Sequence, residues 1–154
     1  MNDNAGKNVW QFLSFADLTK QDLYNVLQLR SEVFVVEQAC VFQDMDGADG
    51  AAMHLLGKVN GQLSAYARCF AAGEKFAEAS IGRVITRSTL RRTGAGHALM
   101  REAVCQLFEH WGQQAIRIGA QARLEKFYLQ HVFVDAGVPY MEDGIAHIEM
   151  LRAV

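Results

Sequence analysis

The run Arg91-Arg92-Thr93-Gly94-Ala95-Gly96-His97-Ala98 holds the residues best suited to chemistry in this chain. Two closely spaced glycines between a strand-like and a helix-like segment leave backbone N–H groups bare at a helix N-terminus. Such a turn binds phosphate or pyrophosphate. Arg91 and Arg92 add fixed positive charge beside it. Two familiar phosphate cradles do not fit. A P-loop needs Gly-Lys-Ser/Thr, and Gly96 is followed by His97-Ala98. A dinucleotide fingerprint needs a small residue three positions after its second glycine, and that place holds Leu99. The pattern that remains is Arg/Gln-x-x-Gly-x-Gly/Ala, opened by Arg91 and closed by Gly96.

Other groups could move protons. Tyr128, in the aromatic pair Phe127-Tyr128, offers a phenol. Glu37, Asp44, Asp46, Glu142 and Asp143 offer carboxylates, and His54 and His147 offer imidazoles. Asp44, Asp46 and Asp49 lack the ordered spacing and closing Glu of a calcium loop, so no metal site is expected. They read as a solvated acidic loop or as a surface that attracts a cationic amine. Cys40 lies in the same loop without a motif that would make it a nucleophile.

The elements that must position these groups follow from the pattern. The chain has 154 residues, the size of one ordinary domain. With 51% hydrophobic and 21% charged residues it can bury a sizeable core. A net charge of -2 supplies no basic field for nucleic acid, and no Lys/Arg tract suggests a membrane surface. Cys40, Cys69 and Cys105 are odd in number, far apart and without a C-x-x-C, so neither disulfides nor zinc are indicated. No signal-like apolar segment opens the chain, and reduced thiols fit a cytoplasmic protein.

Residues 1–11 read as a leader and 12–154 as the domain. A first strand is expected over 12–16, and a helix capped by Thr19, with Leu23, Val26, Leu27, Arg30 and Phe34 at helical spacing, ends near 33–36. An irregular loop follows to Ala51. Strands at 53–59 and 62–70 flank Asn60-Gly61, a type I′ hairpin signal. A strand at 80–86 leads into the glycine turn. The helix expected from Ala98 to Trp111 repeats Leu99, Ala103, Leu107 and Trp111 every four residues. A buried strand at 115–120, a short helix at 124–131 and strands at 132–134 and 146–152 complete an α+β, mixed α/β reading with one sheet.

Taken with this order of elements, the loop resembles the coenzyme A pyrophosphate loop of the Gcn5-related N-acetyltransferase (GNAT) superfamily. The segments Leu27-Gln28-Leu29-Arg30, Val33-Phe34-Val35-Val36-Glu37-Gln38, Gln43-Asp44-Met45-Asp46-Gly47, Ile81-Gly82-Arg83-Val84 and Gly119-Ala120-Gln121-Ala122 resemble its ElaA-like branch. So do Glu142-Asp143-Gly144-Ile145 and His147-Ile148. The resemblance implies a single-domain acyl-CoA N-acyltransferase fold: a mostly antiparallel sheet, with a parallel strand pair splayed at the acyl-CoA site and helices on its flanks. It implies acetyl-CoA as co-substrate, no metal, and a small-molecule or peptide amine as acceptor.

Carried onto this sequence, the resemblance places the pyrophosphate on Arg91, Arg92, Thr93, Gly94, Ala95, Gly96, His97 and Ala98. It places the pantetheine arm along Val84, Ile85 and Thr86, with Gln121 opposite. Tyr128 takes the place of the phenol that protonates the leaving thiolate. The acceptor side puts Glu37 first among the candidate bases; Arg83 stands where the family often has an acid. Val132 replaces a glycine after the tyrosine helix. The resemblance also leaves open a homodimer formed through the terminal strand at 146–152. The rival reading keeps the fold but not the turnover, as a coenzyme A or acyl-CoA sensor.

Overall fold

The computed structural model describes residues 8–154, so residues 1–7 of the expected leader lie outside the described residues. The first strand, β1, spans Val9–Ser14, so the sheet begins before residue 12. Helix α1 covers Lys20–Arg30, and its cap is the expected one: Thr19 Oγ1 accepts the Asp22 N–H at 3.0 Å. The helix does not stop there. It continues as a wider, π-helical segment through Ser31–Glu37, which rotates the apolar run Val33–Val36 relative to the α1 face.

Strands β2 (Met53–Val59) and β3 (Gln62–Phe70) form the expected hairpin. Asn60 and Gly61 both adopt positive φ, 52° and 76°, as a type I′ turn requires. Strand β4 (Ser80–Thr86), helix α2 (Ala95–Trp111), strand β5 (Ile116–Gln121) and the short helix α3 (Glu125–Leu129) follow. Strand β6 (Val134–Glu142) is longer than expected. Gly137 and Pro139 look like a break, but the strand absorbs them with an irregularity between Asp135 and Pro139. An edge strand can do so because one row of its backbone groups has no ladder to feed. Asp143-Gly144, with φ of 50° and 76°, then turns the chain into β7 (Ile145–Arg152).

The strands form two antiparallel groups, β1-β2-β3-β4 and β5-β7-β6. Among the described residues they are bridged at the base of β4 and β5. There Ala79 and Ile116 make a parallel bridge, and the Arg117 N–H donates to the Ala79 carbonyl at 2.8 Å. Beyond that bridge β4 and β5 run apart. Strand β7 lies between β5 and β6, with both edges paired. It therefore has no free edge for a second copy, which corrects the expectation of pairing through 146–152.

Leu99, Met100, Ala103 and Leu107 of α2 are fully buried against Leu55, Ala65, Ala67, Ile118 and Met150. This is the apolar face that the four-residue repeat marks. On the other side of β1-β2-β3-β4, α1 packs Val26 and Leu29 on Leu56, Leu63, Tyr66 and Ile85. The loop after α1 is not a solvated acidic surface. Arg30, fully buried, donates from Nε to Asp44 at 2.8 Å and from Nη1 to Asp49 at 2.7 Å. Arg68 donates to Asp49 at 2.9 Å and to both oxygens of Asp46, at 2.9 and 2.8 Å. Arg83 donates from Nε to Asp44 at 2.8 Å. Three arginines thus hold three aspartates. The expectation that these carboxylates attract a cationic amine is corrected, because their charge is already matched inside the protein.

This network makes folding pH-dependent. The Arg68 guanidinium, outweighing burial, holds Asp46 far below the ordinary carboxylate range. Burial raises Asp49, but hydrogen bonds from Arg30 and Arg68 outweigh it and the net shift is downward. Stability from these groups is present above the unfolded value, near about 3.9, and is lost as pH falls below it. The urea midpoint is expected to fall between pH 5 and pH 2.5, and less steeply in Asp46→Asn. An identical slope in both proteins would contradict this origin.

Candidate acyl-donor site in the β4–β5 cleft

The glycine turn caps the open end of the cleft. Gly94 has φ 85° and immediately precedes α2, which starts at Ala95, three residues earlier than expected. Only Ala98 is far enough along to return its N–H to the Gly94 carbonyl, at 3.1 Å. The amides of Ala95, Gly96 and His97 fall in the first turn, where a helix offers no internal acceptor. No side chain caps them. Arg92 adds a second positive φ, 65°, so the amides from Arg92 to His97 curl into a concave cradle. Gly96 allows close approach from the other side: a Cβ there would sit 3.4 Å from the Phe127 ring.

The strand that feeds the turn is distorted where it matters. Arg83 has φ 49°, and the pairing jumps from Arg68↔Gly82 to Tyr66↔Ile85. Arg83 and Val84 therefore share one place opposite Ala67, a β-bulge. The bulge shifts the alternation so that Val84 joins the α2-side core and Ile85 the α1-side core. On its β5 side β4 has no hydrogen-bonded neighbour above the base bridge among the described residues. Its backbone from Val84 to Thr86 borders the wedge where the two strands diverge.

Tyr128 lies on α3, the short helix that follows β5. It is buried between Phe127 and Phe133, in edge-to-face contacts at 5.1 and 6.1 Å. Its hydroxyl finds no hydrogen-bond partner among the described residues. Burial pushes its pKa up to about 12, so it carries its proton throughout the physiological range. The turn that places it tolerates the missing glycine at a cost: Val132 takes φ 70°, and the Phe133 N–H still reaches the Tyr128 carbonyl at 3.2 Å.

The acceptor side differs from expectation. Glu37 and Arg91 are bonded to each other through both carboxylate oxygens, with Nη2 to Oε2 at 2.6 Å. The Arg91 hydrogen bond lowers the Glu37 pKa, so in this arrangement Glu37 is a poor base, and Arg91 is shared with it. Gln121 donates to Gln38 at 3.2 Å, which ties the end of β5 to the loop after the π-helical segment. Arg83, where an acid was sought, lies between the rings of Phe34 and Phe42 at 5.7 and 5.9 Å and holds Asp44. Its role went unnoticed in the sequence, where no signal marks a bulge at an arginine.

His54 and His147 are structural. His54 is buried, and the Asp49 carbonyl, 2.9 Å from Nε2, can only accept. Nε2 therefore carries the hydrogen, and Nδ1 accepts the Tyr66 hydroxyl at 2.6 Å. His147 donates from Nδ1 to the Ile145 carbonyl at 2.7 Å and stacks on Tyr140. Among the described residues no three His, Cys, Asp or Glu groups converge as metal ligands. No helix among them is long and apolar enough to cross a membrane.

A wedge of unpaired strand backbone, capped by a helix N-terminus at Arg-x-x-Gly-x-Gly, is what an acyl-CoA enzyme of the resembled type requires. The family model for the acetyltransferase (GNAT) domain matches residues 15–153. The chain belongs to the GNAT family. Protein ElaA of Escherichia coli is 42% identical over 147 residues, covering 94% of this chain and 96% of ElaA. A UPF0039 protein of Synechocystis is 38% identical, covering 94% and 95%. The crystal structure of E. coli ElaA superposes with a TM-score of 0.86, covering 94% of this chain and 99% of that one. An acyl-CoA N-acyltransferase from Pseudomonas aeruginosa superposes with 0.89 at 41% identity, covering 95% and 99%. The GNAT fold and the likeness to ElaA are as expected from the motifs.

The strained turn gives a direct test. A β-branched residue in the left-handed region costs about 1–2 kcal/mol, and Val132 is 63% exposed, so its side chain contributes little burial in return. Val132→Asn, which tolerates that φ, is expected to raise unfolding stability by about 1 kcal/mol in urea. A loss would contradict the left-handed assignment.

Proposed function

We propose that this GNAT protein transfers an acetyl group from acetyl-CoA to a primary amine by direct attack on the thioester. The observation that carries the proposal is the splayed β4–β5 wedge, which ends at the uncapped amides of Ala95, Gly96 and His97. The cradle from Arg91 to Ala98 would hold the pyrophosphate. Backbone of Val84, Ile85 and Thr86 would pair with the pantetheine arm as an added strand. An amide in this stretch would donate to the thioester oxygen as negative charge gathers there. The amine nitrogen forms a bond to the carbonyl carbon, the C–S bond breaks, and its electron pair leaves on sulfur.

Tyr128 faces the departing sulfur in this reading. Full transfer from a phenol at about 12 to a thiolate of ordinary acidity, near about 8.5, runs uphill by roughly 5 kcal/mol. Tyr128 therefore serves first as a hydrogen-bond donor that stabilises the thiolate, and the proton settles on sulfur as solvent resupplies it. Glu37 can act as base only when Arg91 turns away from it. A pyrophosphate in the cradle competes for Arg91 and would return Glu37 to ordinary basicity. Gln121 would orient the arm from the β5 side.

The sensor reading has its own support: an arginine that is already a cation, Arg83, stands where a carboxylate base was sought, and Glu37 is held by Arg91, so neither place offers a free base. Thiol release from acetyl-CoA on a panel of primary amines separates the two. Turnover is expected, and Tyr128→Phe should lower kcat about 100-fold while donor KM moves far less. Binding without release on every amine favours the sensor, and an unchanged kcat removes Tyr128 from the reaction.

A further inference from the structure

In β5, Ile116, Ile118 and Ala120 are buried in the core under α2, so Arg117, Gly119 and Gln121 alternate to the opposite face. Gly119 stands three residues above the base bridge of Ala79 and Ile116, the height of Gly82 in β4. It is level with the foot of the bulge at Arg83, just below the stretch from Val84 that would hold the thioester.

What covers Gly119 comes from two strands away. Tyr140, on the outermost strand β6, reaches across β7 and sets its hydroxyl over the Gly119 backbone. A Cβ at Gly119 would collide with that oxygen and lie 3.5 Å from Cζ, so a side chain there would push the hydroxyl away. His147, opposite Tyr140 in the ladder, stacks on its ring at 5.2 Å and is itself pinned by the Ile145 carbonyl. The Tyr66 hydroxyl is taken up by His54, but that of Tyr140 has no hydrogen-bond partner among the described residues.

The field around this oxygen is negative. Burial raises the Tyr140 pKa, and Glu142 and Glu149 raise it further, so the phenol keeps its proton and its oxygen remains an acceptor. Glu149 is answered by Arg117 at 3.2 Å. Glu142, two residues from Tyr140 on the same face of β6, is 60% exposed. Its neighbour within ion-pair distance is His147 Nε2, at 3.7 Å, and no Lys or Arg among the described residues comes as close. Lys75 feels its charge from further off. Asp44, Asp46 and Asp49 are matched by arginines, so Glu142 is the carboxylate this face leaves to a ligand.

We propose that this face seats the acyl acceptor, an amine that carries a second positive charge: a neutral amine nitrogen donates an N–H to Tyr140 Oη, and the second, protonated group pairs with Glu142. The inference rests on the acyl-transfer reading of the wedge. An N–H given to Tyr140 leaves the nitrogen lone pair free to face the carbonyl carbon. A hydroxyl oxygen beside an unmatched carboxylate favours a cationic tail over an uncharged or anionic one.

The test is thiol release from acetyl-CoA with n-butylamine, 1,4-diaminobutane and 1,6-diaminohexane, with the acetyl-CoA Kd measured by calorimetry beside it. The intact protein is expected to favour the diamines in kcat/KM by about tenfold or more. Glu142→Gln, at an exposed position, should shrink that preference several-fold and leave n-butylamine unchanged. Tyr140→Phe keeps the ring and its stack on His147; it should raise KM for all three amines about tenfold while the acetyl-CoA Kd stays the same. Gly119→Ala should act in the same direction, and should add nothing in the Tyr140→Phe background, where the oxygen it displaces is already gone. An unchanged amine KM in Tyr140→Phe overturns the seat, as does an intact protein with no preference for the diamines; both leave the transfer reading standing. Acetyl-CoA binding without thiol release on any amine overturns the transfer reading and the seat together.

Discussion

Unpartnered backbone governs this molecule. Strands β4 and β5 share one bridge, at Ala79 and Ile116, and then diverge, while α2 starts at a glycine with no side chain to cap its first amides. Strand-edge groups and first-turn amides without a partner inside the chain present a hydrogen-bonding edge that a ligand with complementary groups can complete. The bulge at Arg83 strengthens this arrangement, because it turns β4 out of register with β3 just where the wedge opens.

The rest of the structure keeps that wedge open and of fixed width. On one side, the buried row Leu99, Ala103 and Leu107 clamps α2 to the sheet, so the cradle cannot drift from β4. On the other, three arginines and three aspartates fasten the loop after the π-helical segment. Gln38 and Cys40 then reach across to Gln121 and the Asp143 carbonyl. A buried ionic network of this kind is a weak source of net stability but a strong determinant of geometry. The Glu37–Arg91 pair couples the two halves: one member ends the π-helical segment and the other opens the glycine turn.

Elements with a strong local code were legible from the sequence. Thr19 announces α1, Asn60-Gly61 the first hairpin, and the four-residue repeat from Leu99 the face of α2; each depends on residues close in the chain. The glycine turn ahead of α2 and the short helix with Phe127-Tyr128 were legible because a short motif and an aromatic pair carry them. What escaped depends on distant partners. Asp44, Asp46 and Asp49 looked like a free acidic loop because Arg30, Arg68 and Arg83 come from three other elements. The pairing of Glu37 with Arg91 escaped because the two are 54 residues apart. The length of strand β6 was missed because Gly137 and Pro139 signal a turn, which an edge strand can absorb, and the reach of the π-helical segment has no sequence mark.

The decisive measurement is the response of the backbone amides to coenzyme A, followed by 15N-resolved NMR on the intact chain. Saturable shifts should concentrate on Arg92 to His97, on Val84 to Thr86 and on the facing end of β5, with the outer strand β6 unaffected. Binding that leaves those amides unmoved, or that perturbs β6 instead, would contradict a donor site built from the unpaired backbone of the wedge.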